Sequence, residues 1–99
     1  MVDVYDVDVG KVREVVPKIR EYGLIDAEVE NRASLIDDTL NTLEDRLEYI
    51  LNKLDDNEPT EAKLVVKDNS GILIIKIEDI ISIRLTVKDH EKLMRDLLG

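Results

Sequence analysis

The chain is 99 residues long, 43% hydrophobic and 37% charged, with a formal net charge of -9 and no Cys, Phe, Trp or Gln. That length holds one modest core. The lack of Cys excludes disulfides, thiolate nucleophiles and Cys-based zinc or iron–sulfur sites. Only Tyr5, Tyr22 and Tyr49 are aromatic, so Ile, Val and Leu must supply the buried area, a shortfall that oligomerisation often meets. Charged content well above the roughly 25% of ordinary soluble domains, with few thermolabile side chains, is the bias of hyperthermophile proteins.

Charge is concentrated in the middle of the chain: residues 1–23 carry -1, residues 24–60 carry -8 and residues 61–99 are balanced. A surface of that sign repels nucleic acid and anionic lipid and attracts basic proteins or divalent cations. The acidic start, Met1 to Asp6, lacks the basic and apolar regions of a signal peptide. The longest apolar run, Ile72 to Ile75, is far too short to span a bilayer. The expectation is an intracellular protein with no membrane span and no signal peptide.

In chain order, residues 2–9 mix β-branched and acidic side chains and read as a short strand or extended arm. Val12, Val15, Val16 and Ile19 fall on one helix face, with Pro17 starting or kinking the helix. Gly23 followed by Leu24 has the form of a left-handed C-terminal cap. Val29, Ala33, Ile36, Leu40, Leu43, Leu47, Ile50 and Leu54 then alternate spacings of four and three, an unbroken heptad seam. This predicts a long acidic helix over about 26–55, with Asp26 as N-cap. Ser34 and Asp37 have the spacing of a capping box and would break that helix near Ala33. Unbroken, it would run roughly 42 Å against about 33 Å for a compact domain of this size. It would therefore protrude or pair with another chain, unless the seam lies on the protein's own sheet.

The period changes after Pro59. Residues 62–67 and 72–77 read as strands joined by the hairpin-like Asp68-Asn69-Ser70-Gly71. A third strand follows, with Ile81, Ile83, Leu85 and Val87 on one side and Ser82, Arg84, Thr86 and Lys88 on the other. Asp89 caps a final short helix with an apolar edge of Leu93, Met94, Leu97 and Leu98. The fold class is thus α+β in a single domain over 1–99. Residues 1–60 are mainly helical, and 61–99 hold a mainly antiparallel sheet and the C-terminal helix.

Little here points to catalysis. Asp6-Val7-Asp8-Val9 resembles the DxDx[TV] start of haloacid-dehalogenase-type phosphotransferases, but over four residues only. That family's later lysine and metal-ligand motifs are absent, and the chain is too short for its core. Asp3, Asp6 and Asp8, or Asp55, Asp56 and Glu58, could offer carboxylates to Mg²⁺ or Ca²⁺, yet neither set has calcium-loop spacing. His90 is the only histidine, so no zinc pair or triad can be assembled. The serines lack a nucleophile elbow, and the four glycines form neither a dinucleotide nor a Walker A loop. No enzyme activity and no cofactor are expected.

On a helix, Glu30, Asp37, Asp38, Glu44, Asp45 and Glu48 would form a one-sided anionic strip. The expected function is therefore a self-associating interaction or assembly protein, a dimer or larger, that presents this strip to a basic protein partner. Self-association would use the seam from Val29 to Leu54. The alternative is a carboxylate-based divalent-metal-binding protein or metal-dependent enzyme. A third reading is weak nucleic-acid binding through the strand face of Arg84 and Lys88, joined by Lys63, Lys67 or Lys76, where no ring could stack a base. The size, the acidic Cys-free and Gln-free composition and the helix-then-hairpin order resemble small proteins encoded by filamentous and rod-shaped viruses of hyperthermophilic archaea. That resemblance implies a role in the cytoplasm of an infected host.

Overall fold

The computed structural model describes residues 1–33 and 40–99. Within these residues five strands form one antiparallel sheet in the order β1-β3-β4-β5-β2: β1 Val2–Asp6, β2 Leu24–Asn31, β3 Glu61–Lys67, β4 Ser70–Ile77 and β5 Ile81–Val87. Among the described residues three α-helices accompany it, α1 Val9–Val15, α2 Leu43–Asp56 and α3 His90–Leu98, and a 3-10 segment, Val16–Tyr22, continues α1. The fold is α+β, as the change of hydrophobic period predicts.

The local rules explain the first third. Asp8 caps α1 by accepting from the Gly10 N–H at 2.9 Å. Pro17 cannot donate to a preceding carbonyl, and the α-helix gives way there to the 3-10 segment. Gly23 ends that segment at φ 74, with its N–H on Arg20 O and its carbonyl accepting from Lys88 N. A Cβ at Gly23 would meet Lys88 Cβ at 3.3 Å in a left-handed conformation. Gly23→Ala is therefore expected to cost about 1–2 kcal/mol, read as a lowered urea midpoint. Asp68 and Asn69, at φ 51 and 64, make the two-residue hairpin turn between β3 and β4.

Alternation decides which face of the sheet is buried. Ala62 and Leu64, Leu73 and Ile75, Ile83, Leu85 and Val87, and Ala27 all lie on one face. Their side chains meet Val12, Val15, Val16, Ile19 and Tyr22, then Leu47, Ile50 and Leu54 of α2, and Leu93 and Leu97 of α3. No polar or charged residue is buried among the described residues, and Tyr22 is the one ring in that core.

The long helix over 26–55 does not form. Asp26 is not an N-cap, and Val29 is not the start of a seam: both lie in β2. Thr42 caps the helix instead, its Oγ1 accepting from Asp45 N at 3.1 Å. Residues four apart share a face in a strand as well as in a helix. The Val29–Ala33 spacing therefore fits either, and pairing with β5 decides for the strand. Ala33 is an exposed residue beyond β2, Leu40 precedes α2, and Ile36, Ser34 and Asp37 lie outside the described residues. Of the described seam residues, only Leu43, Leu47, Ile50 and Leu54 lie on a helix with this spacing. Leu47, Ile50 and Leu54 are buried in the chain's own core, so these three side chains pack within one copy.

Candidate functional site

The described acids of the strip do not share one helix. Glu30 lies on β2 beside Ser82 of β5, on the sheet face away from the helices. Glu44, Asp45 and Glu48 are exposed on α2, while Asp37 and Asp38 lie outside the described residues. Glu44 holds Arg20 of the 3-10 segment through both carboxylate oxygens, with Arg20 Nε at 3.2 Å from Oε1. Glu44 and Asp45 also occupy the first turn of α2, where the helix dipole favours negative charge. Part of the acidity thus serves the helix that carries it.

Among the described residues, no three acidic or histidine side chains converge as a metal site would require. His90 Nδ1 lies 3.2 Å from Asn69 O, tying the start of α3 to the β3–β4 hairpin. The Arg84 strand face is real, and Lys63, Lys67 and Lys76 share it. Acids interleave them, however: Asp6 lies beside Lys63 and Glu28 beside Arg84 across the strands. Glu61 reaches Lys63 at 3.9 Å and Lys76 at 3.8 Å. That face offers no basic stripe for a phosphate backbone.

What the face does offer is apolar surface. Its central row runs Val4–Val65–Ile72–Thr86–Asp26, and Ile74 lies in the next row. Val65, Ile72 and Ile74 are only half-buried, because no described helix covers them. Val2 and Val4 are 52% and 57% exposed, and Met1 is fully exposed. Sequence reasoning missed this surface although the signal was present. Residues 64–66 and 72–75 are apolar without alternation, and such strands put hydrophobic side chains on both faces.

The two sheet edges differ. Beside β2, α2 supplies Arg46, whose Nε donates to Ala27 O at 2.6 Å while its other nitrogens reach Asn41 O at 3.1 Å and Asp26 Oδ1 at 3.6 Å. Asn31 Nδ2 donates to Tyr49 OH at 3.0 Å. A shallow groove of about 540 Å³ runs beside this edge, lined by Asp26, Glu28, Val29, Glu30, Arg46, Ser82 and Arg84. It holds three acids and two arginines, with Glu28 opposite Arg84 across the strands. At β1, no described side chain bonds to the strand backbone.

These features define an α+β protein whose five-stranded antiparallel sheet is, among the described residues, covered on one face, guarded at one edge and bare at the other. Comparison with family models, curated proteins and solved structures gives no match to the chain. No helix among the described residues is long and apolar enough to cross a membrane.

Proposed function

We propose that this chain is a non-enzymatic assembly protein that self-associates through β1 and the adjoining uncovered side of its sheet. One observation carries the reading: exposed apolar side chains gather there, at Met1, Val2 and Val4, next to half-buried Val65, Ile72 and Ile74. Contiguous apolar surface of this kind, rimmed by charges, is what interaction sites expose. A partner of opposite charge has less support, since Glu30 is on a strand and Glu44 is engaged by Arg20.

Light scattering over a concentration series tests the reading. The wild-type chain is expected to associate, and Val2→Lys combined with Val4→Lys to remain monomeric. Both positions are more than half exposed, so the variant should keep its stability within about 0.5 kcal/mol. A wild-type monomer at every concentration, or a double variant that associates equally well, would sink the proposal.

A further inference from the structure

We infer that the partner at this surface is a second copy of the chain, joined β1 to β1 about a two-fold axis at Val4 to make one continuous ten-stranded sheet. This inference rests on the self-association reading and gives it a geometry.

β1 is an edge strand, and one side of its backbone is free of the described residues. Val7 N donates to Ala62 O at 3.0 Å, and Tyr5 and Asp3 stand opposite Leu64 and Val66 in the same register. In an antiparallel pair, successive residues point their N–H and C=O groups to opposite sides. The odd-numbered residues therefore bond to β3, and Val2, Val4 and Asp6 aim their backbone groups outward. Among the described residues nothing receives them, whereas Arg46 and α2 occupy the opposite edge at β2. An unguarded edge is a template for another strand.

The side chains select one register. With Val4 opposite the partner's Val4, Val2 faces the partner's Asp6 and Asp3 faces the partner's Tyr5. No acid then meets an acid, and all three outward residues pair, forming about six backbone hydrogen bonds. A slip of two residues toward the N-terminus sets Asp3 against the partner's Asp3 at the closest strand spacing, about 4.5 Å between Cα atoms. A slip of two the other way keeps only about four of the bonds. Odd slips oppose outward groups to residues already bonded within their own sheet. In the favoured register the two apolar rows join through adjacent Val4 side chains, extending the uncovered strip from Ile72 of one copy to Ile72 of the other. The contact is isologous, as a two-fold dimer requires.

A five-residue strand gives an interface at the small end of specific contacts, so the dimer is expected to be concentration-dependent. Sedimentation equilibrium up to about 500 µM is the appropriate measurement. The wild type should double its mass across the series. Val4→Pro, which removes the N–H at the two-fold axis, should weaken association at least about tenfold while leaving the circular dichroism spectrum and melting temperature near wild type.

Cysteine pairing reads the register without depending on that variant, because the native chain has no thiol. Asp3→Cys and Tyr5→Cys chains mixed under mild oxidation should form a disulfide-linked dimer, and either alone should not, since each cysteine would face a native residue. If the wild type dimerises but the mixture does not cross-link, or Val4→Pro dimerises normally, this geometry is wrong and self-association stands. A wild type that stays monomeric up to the highest concentration overturns both.

Discussion

Replacing Arg46 with alanine is expected to lower stability by about 2–3 kcal/mol, a large loss for a partly exposed side chain. Its guanidinium joins Ala27 O of β2, the Leu40 and Asn41 carbonyls before α2, and Asp26. These are charge-assisted bonds held by a rigid planar fork, so they resist replacement by water better than a single surface ion pair. Arg46→Lys keeps the charge but cannot span the same carbonyls, and should recover only part of the loss. Removing the guanidinium also uncovers the β2 edge. Amide hydrogen exchange along Leu24–Asn31 should accelerate more than exchange in β4, which is paired on both sides. Unfolding midpoints in urea give the first quantity, and a change below about 0.5 kcal/mol would remove Arg46 from this role.

Tyr22 is expected to be the most sensitive aromatic position. It is fully buried, and its hydroxyl donates to the Asp96 carboxylate of α3. Lys18 Nζ lies 3.9 Å from the same carboxylate, and Lys92 Nζ sits 5.2 Å from the ring centre. Tyr22→Ala should cost about 3–5 kcal/mol through lost burial and cavity formation. Tyr22→Phe, which keeps the ring, should cost about 1–2 kcal/mol for the hydrogen bond.

The pair also gives stability a pH dependence of definite sign. Burial, reinforced by the bond to Asp96, raises the Tyr22 phenol above its ordinary 10.0. The stability this contributes is complete below pH 10.0 and is lost as pH climbs toward the raised folded value. The Tyr22 hydroxyl, with help from nearby Lys18, Lys92 and Arg95, outweighs desolvation and holds Asp96 below its ordinary 3.8. That contribution is complete above 3.8 and is lost as pH falls through the lowered folded value. Urea midpoints should therefore decline on both sides of a plateau between about pH 4 and pH 10. Tyr22→Phe should flatten the alkaline limb, and an unchanged limb would show that Tyr22 does not govern it.

Elements with local punctuation are legible in the order of residues alone. Pro17 and Gly23 bound the 3-10 segment, Asp68-Asn69 makes the hairpin turn, and Asp89 caps α3 by accepting from Lys92 N at 3.0 Å. The strict alternation from Ile81 to Val87 places the core face of β5 correctly. Residues 24–33 mislead because the 4-residue spacing of Val29 and Ala33 belongs to both periodicities. The apolar second face of β3 and β4 can be read from residues 64–66 and 72–75, whose lack of alternation gives no buried side and exposed side to choose between. No local signal marks Arg46. Its flanking position on a heptad is that of a solvated charge, and only the return of α2 alongside β2 brings Ala27 O within reach.

The amino-acid sequence by itself determined an aliphatic, acidic α+β chain with its turns and caps in place, because those features depend on neighbours within a few residues. Tertiary structure decided the rest. Antiparallel pairing across the chain made residues 24–31 a strand and buried Leu47, Ile50 and Leu54 inside one copy. Among the described residues it also left one sheet face and the β1 edge uncovered. Whether an apolar stripe is core or contact surface depends on what folds over it, and spacing along a chain carries no record of that.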